Sequence, residues 1–185
     1  MKRRELMADL KARTHQNIEE LASFSDLSSA ELNHRNAPQS WSILECLAHL
    51  NLYGDFYLPE IDNCIKHAQA SDNEDFKSGW LGNYFALSML PGENGKLNKM
   101  KTFKSMNPIH KSLSTDVLVT FKNQQQELLR LLDLAGQVDL SKVKTSISIS
   151  RWIKLKLGDT LRVVIYHNQR HMKQASNVLK TLQLV

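Results

Sequence analysis

Residues 161–182, LRVVIYHNQRHMKQASNVLKTL, decide the fold class. An inward stripe steps along this stretch alternately by four and three residues, through Leu161, Ile165, Asn168, Met172, Ala175, Leu179 and Leu182. This spacing is typical of a helix with one face packed against a core. Asp159, directly after Gly158, is expected to be the N-cap. The sequence therefore predicts a long amphipathic helix that ends near residue 182.

Three more helices are predicted upstream. Ser42-Ile43-Leu44-Glu45 forms a capping box and predicts a helix over residues 42–68, with a kink at Pro59. Residues 114–135 form the next helix, interrupted on its apolar face by Gln125 and ended by Gly136 as a left-handed C-cap. Residues 2–24 predict a less regular first helix, because residues 13–17 are polar. The apolar face over residues 114–135 consists of Leu118, Phe121, Leu128, Leu132 and Ala135.

Long connections join these helices, over residues 25–41, 71–113 and 138–158. Residues 80–90 are too apolar for solvent and predict a short helix lying across the others, whereas residues 91–95, PGENG, predict a turn. The alternation of Ile147, Ile149 and Trp152 or Ile153 predicts a short extended segment. Residues 1–185 are therefore predicted to form one all-α domain, a four-helix bundle with long inter-helix connections.

Composition limits the function classes. The 185 residues carry a net charge of +5, but the basic residues are scattered, and the densest group lacks a regular helical face. That group is Lys96, Lys99, Lys101 and Lys104. Nucleic-acid binding is therefore not expected. No stretch is long and apolar enough to span a bilayer, so we expect no membrane association and a soluble, cytoplasmic protein with Cys46 and Cys64 reduced.

Three of the seven histidines are candidate metal ligands. His167 and His171 are four residues apart in the last helix, so their imidazoles lie one turn apart and suit one shared metal ion. Such pairs are more often hydrogen-bonded or partly exposed than metal-bound. His49, two turns into the second helix, is the third candidate, although it also fits a core histidine bound to a backbone carbonyl. The weaker candidates are His15, His34, His67 and His110.

Two motifs add a family resemblance. Residues 41–50, WSILECLAHL, resemble the W-S-x-x-E-x-x-x-H-L opening of the second helix in the DinB-like (YfiT-like) superfamily. Residues 158–161, GDTL, and 167–174, HNQRHMKQ, resemble that family's g-d-x-l…H-x-x-R-H-x-x-Q ending, and residues 99–102, KMKT, resemble a segment before its third helix. The two main motifs occur in the family's order and at its distance, which makes the combination more specific than either half.

This resemblance implies a four-helix bundle, often dimeric, whose metal is held by His49, His167 and His171. Three imidazoles leave a coordination position for substrate or water and suit a divalent transition metal such as Zn, Ni, Fe or Co. The family includes thiol-dependent transferases and metal-dependent hydrolases. It therefore implies a small-molecule substrate, a low-molecular-weight thiol among the candidates, and a homodimer.

Two neighbours of the ligands are weaker candidates for catalysis. Tyr53, four residues after His49, can point into the same cavity as a donor or acid, and Gln174, three after His171, can orient that ligand. Core packing and solvent exposure are the alternatives for these two side chains. A non-catalytic metal-binding or stress-response protein also fits the motifs. A helical interaction module, with basic residues in 96–111 contacting an acidic partner, fits as well.

Overall fold

The computed structural model describes residues 1–92, 97 and 100–183, and this part of the chain is mostly helical. Its α-helices are α1 (Arg3–Ala22), α2 (Ser29–Leu32), α3 (Ile43–Lys66), α4 (Trp80–Met89), α5 (Asp116–Ala135) and α6 (Leu157–Leu182). Two antiparallel strands, β1 (Lys144–Ile147) and β2 (Ser150–Lys156), form a hairpin before α6. The predicted helical class is confirmed. The single extended segment expected through Ile147, Ile149 and Trp152 or Ile153 is instead two strands, β1 and β2, joined by a turn at residues 148–149.

The four long helices pack against one another in pairs. α1 contacts α5 and α6, and α3 contacts the same two helices, while α4 lies against α6 and β2. The short helix predicted between residues 80 and 90 is therefore present. However, Trp80, Tyr84 and Leu87 are exposed on it, so the expectation that its apolar side chains avoid solvent is wrong for these three in the single chain. The turn predicted for residues 91–95 and the lysines at 96 and 99 fall largely or wholly outside the described residues. Within the described part of the chain, no helix combines the length and apolarity needed to cross a membrane.

The start of α3 agrees with the capping-box prediction. The Ser42 side chain accepts the Glu45 N–H at 3.2 Å, and the Glu45 carboxylate accepts the Ser42 N–H at 2.9 Å. Pro59 lies inside α3, which continues to Lys66. The capping box therefore fixes where the helix that carries His49 begins.

Two predicted caps are wrong. The N-cap of α6 is Lys156, and Asp159 lies inside the first turn, where its buried carboxylate accepts bonds from the Ser78 hydroxyl and the Gly79 N–H. Asp159 thus ties α6 to the start of α4, because Gly79 is the N-cap of α4. Gly136 ends α5 in a right-handed conformation, with φ −61° and ψ −11°, so the left-handed prediction fails there.

A polar layer crosses the helices between two apolar clusters. One cluster contains Leu10, Leu128 and Ile165, and the other contains Leu21, Phe121 and Met172. Between them, the Gln125 carbonyl oxygen lies 3.4 Å from the Asn17 amide nitrogen and 3.3 Å from that of Asn168. The residue that interrupts the apolar face of α5 therefore links α1, α5 and α6, at the level where the histidines lie.

Candidate metal centre

The structure brings the three predicted histidines together. The candidate ligand nitrogens of His49, His167 and His171 all lie within 4.8 Å of one another. The Nε2 atoms of His49 and His167 are 3.2 Å apart. Two nitrogens bound tetrahedrally to one zinc ion lie roughly 3.3 Å apart, given Zn–N bonds of about 2.0–2.1 Å. The spacing of the side chains therefore fits one shared ion.

Packing between α3 and α6 creates this cluster. His167 and His171 follow one another by one turn of α6, and α3 places His49 against both rings, at centroid distances of 5.0 and 4.5 Å. All three are buried, with exposed fractions of 2% for His49 and 8% for each of the other two. The cluster thus sits in a low-dielectric interior, held by two of the longest helices.

Hydrogen bonds orient two of the rings. The Met106 carbonyl oxygen lies 2.6 Å from His49 Nδ1, and the Gln174 Oε1 atom lies 3.0 Å from His171 Nδ1. Both oxygens are acceptors, so each Nδ1 carries the proton and each Nε2 keeps its lone pair for the cluster. Gln174 therefore contacts the His171 ring, and its role in orienting a metal ligand stays a prediction. The backbone acceptor predicted for a core histidine at position 49 also exists.

Burial keeps the imidazoles neutral. Desolvation lowers the pKa of His49 to about 4 and that of His171 to about 3, and it lowers the pKa of His167 well below its usual value. The neighbouring His171 and His49 and the charge of Arg170 lower the His167 pKa further. Neutral imidazole is the form that binds metals. At pH 7 all three side chains are therefore ready to act as ligands.

Glu45 holds the loops around the centre. Its two oxygens accept a bidentate pair of bonds from Arg35 at 2.7 and 2.9 Å, and Oε1 also accepts the His110 N–H at 2.6 Å. Burial raises the pKa of Glu45, but the bonds from Arg35, Ser42 and His110 outweigh it and lower the pKa. Glu45 thus has the structural role expected from the capping box, and it anchors the segment that follows Met106.

The weaker histidine candidates are not part of the cluster. All four are exposed, and His67 and His110 lie at the end of α3 and in the loop before α5. Cys46 is fully buried, and desolvation raises its pKa well above the usual value of a thiol. Cys46 is therefore a protonated core residue.

A cavity of about 950 Å³ opens beside the three histidines. Tyr53 lines it, with its ring centroid 4.9 Å from that of His49 and 4.6 Å from that of His167. Burial and the neighbouring Tyr57 raise the pKa of Tyr53, so its hydroxyl stays protonated and can donate. The geometry thus puts Tyr53 in the cavity, as the sequence predicted.

Three groups that surround the histidine cluster were not predicted from the sequence. The Trp41 ring packs against His49 and His171, at centroid distances of 4.7 and 5.5 Å. Trp41 and Arg170, which also lines the cavity, both stand in the quoted motifs, so their position next to the ligands was a usable signal. The Met106 carbonyl had no such signal, because it comes from a 3-10 turn at Lys104–Met106, far from His49 in sequence.

Comparison with known proteins identifies the family of the chain. The family model described as the DinB superfamily matches residues 10–175, which is most of the chain and includes all three histidines. No curated protein and no solved structure matches the chain significantly. The match covers most of the chain, and the fold is helical with the three histidines close together, as the motifs predict. Both observations support the same family. The chain belongs to the DinB superfamily.

Proposed function

We propose that this protein is a metal-dependent enzyme that binds one divalent transition metal through His49, His167 and His171. Zinc, nickel, iron and cobalt all suit three imidazole ligands, so the proposal covers these four metals. The observation that carries it is the convergence of three buried, neutral imidazoles on one point at the wall of a large cavity.

Space beside the cluster favours catalysis over simple metal storage. A structural metal site is closed by four protein ligands, whereas three ligands leave one position for a substrate. Among the described residues, the side chains that lie close enough together to share one metal ion are these three histidines. The adjoining cavity of about 950 Å³ is at the upper end of the range for small-molecule sites. Both features support an enzyme that acts on a small molecule.

The charges around the cavity favour a thiol-dependent transferase over a hydrolase. Of the residues known to line it, Lys101 and Arg170 are cationic and none is Asp or Glu. Such a wall stabilises an anion, and the lining residues that the structure describes offer no carboxylate general base of the kind that many zinc hydrolases use. When bound, the metal would supply a Lewis acid that lowers the pKa of a coordinated thiol or water.

The chain's own residues then have separate tasks. Met106 and Gln174 accept the Nδ1 protons of His49 and His171 and so hold both rings. Trp41 covers one side of the cluster and excludes water there. Tyr53, whose raised pKa keeps its proton, is placed to donate a hydrogen bond to the group that reacts in the cavity.

A cobalt-substituted protein provides the test. Addition of a low-molecular-weight thiol, such as cysteine or glutathione, should produce a near-ultraviolet absorption band that reports sulfur bound to Co²⁺. Tyr53→Phe should keep this band and lose turnover in thiol-transfer screens, because only the donated hydrogen bond is removed. If no thiol in the panel changes the cobalt spectrum, the transferase proposal fails, and hydrolysis of esters and amides becomes the favoured reaction.

We also propose how the chain is organised around this site. The pairing of α1 and α3 with α5 and α6 supports a single domain built as a four-helix bundle. The unpaired Cys46 and Cys64 support a reducing compartment such as the cytoplasm.

A homodimer is the assembly that we propose. On α4, Trp80, Tyr84 and Leu87 recur at helical spacing on one exposed face, and Trp152 is exposed on the adjoining strand β2. Three such aromatic side chains offer roughly 500 Å², a large part of the ~800 Å² per partner in a standard interface. Light scattering of the wild type and of a Trp80→Ser, Tyr84→Ser variant tests it. A monomeric wild type would refute the dimer.

A further inference from the structure

The cavity extends well beyond the histidines. His49, Tyr53 and Tyr57 follow one another at steps of four along α3, and all three line it. Eight residues of helix rise about 12 Å. On α6, Val163 and Val164 line the cavity one turn before His167. If the reacting group of a substrate lies at the histidines, the cavity therefore has space for a long chain that extends from that group towards Tyr57.

Among the residues that the structure describes, this distant end is lined mainly by apolar side chains. Its wall consists of the inner side of α4 and the hairpin, together with Tyr57 and the two valines of α6. The side chains that α4 and the hairpin contribute are Phe85, Met89, Ile147, Ser148, Ile149 and Leu155. None of these carries a charge, whereas Arg170 and Gln174 lie beside the histidines. The polarity of the cavity thus changes along its length.

The hairpin is fixed in the position that makes this wall. The Ser146 N–H donates to Glu60 at 2.6 Å, and the Ser148 N–H donates to the Tyr57 hydroxyl at 3.2 Å, so two bonds tie it to α3. The strand register shifts between Ser146 and Ile147. A register shift changes the direction in which the following side chains point. The side chain directly after this shift, Ile147, is buried and lines the cavity.

We propose that the substrate is an elongated amphiphile, with a metal-binding head group at the three histidines and an apolar tail lying along Tyr57 between α4 and the hairpin. This proposal rests on the proposed metal-dependent function and adds the chemical class of the substrate. Each buried methylene contributes about 0.8 kcal/mol, which corresponds to roughly a fourfold gain in affinity. Chain length should therefore control affinity.

Straight-chain hydroxamic acids test the proposal, because their head group binds metals and their tail length can be varied. Calorimetry with the zinc-loaded protein should show that Kd falls by roughly fourfold per methylene from acetohydroxamate to octanohydroxamate. Ile149→Asp puts a charge on the cavity wall, at a side chain that is 50% exposed and so tolerates the change. It should abolish the dependence on chain length.

Ile153→Asp is the matched control, since Ile153 lies on the same hairpin, is 39% exposed and does not line the cavity. It should behave as the wild type. If acetohydroxamate binds but longer chains bind no tighter, the tail site is refuted and the metal centre stands. An equal chain-length effect in both variants would also refute the tail site. If the protein takes up none of zinc, nickel, iron and cobalt, both the metal-dependent function and the amphiphile proposal are overturned.

Discussion

Acid should destabilise the metal-free protein through its buried histidines. The pKa of His49 is lowered by burial to about 4 in the folded protein, whereas an unfolded histidine titrates near 6.5. Below pH 6.5 the unfolded chain therefore binds a proton that the folded chain does not bind, and stability falls with pH until the folded pKa is reached. Between pH 7.5 and pH 5, this linkage gives His49 alone a loss of about 2 kcal/mol.

Urea unfolding at both pH values, with chelator present, measures this loss. His49→Asn provides the comparison, because its amide can still donate to the Met106 carbonyl but does not titrate. The wild type should lose about 2 kcal/mol more than the variant between pH 7.5 and pH 5. Carboxylates titrate equally in both proteins and cancel. Equal losses in the two proteins would refute the assignment of a buried, neutral His49.

Two further predictions concern the scaffold. Glu45→Gln should lower the free energy of unfolding by about 2 kcal/mol, because the neutral amide cannot accept all the bonds that the buried carboxylate accepts from Arg35, Ser42 and His110. Chemical denaturation measures the change, and an unchanged midpoint would contradict it. Gly82→Ala should destabilise by about 1–3 kcal/mol, because the added Cβ would lie 2.5 Å from Asp159 Cβ. Gly79→Ala is the control, because its added Cβ would lie 3.4 Å from the nearest atom. Equal thermal midpoints of the two variants would show that the short contact at Gly82 does not destabilise the fold.

Local signals in the sequence were enough to predict the long helices and the positions of the three candidate ligands. The stripe of α6 and the capping box at Ser42 act within one or two helical turns, so they predicted where His49, His167 and His171 would lie on their helices. The motif order then suggested that the two helices share one site. The structure agrees with that prediction, because α3 packs directly on α6.

Features that depend on distant contacts were not predictable. Asp159 looked like an N-cap for its own helix, but its carboxylate binds the start of α4 instead, which requires the tertiary arrangement. Gln125 looked like a defect in an apolar face, yet it meets two amides from other helices in a buried polar layer. The hairpin was only partly predicted, since β2 pairs with β1 through a shifted register that alternation alone does not reveal.

The metal content of the purified protein is the decisive test of a metal site formed by His49, His167 and His171. The protein should be expressed without a His-tag and analysed for transition metals after gel filtration, beside His171→Ala and the exposed control His34→Ala. The wild type and the control should contain about one equivalent of metal per chain, and His171→Ala should lose that metal. A wild type that contains no metal and cannot be loaded with zinc or nickel would contradict it.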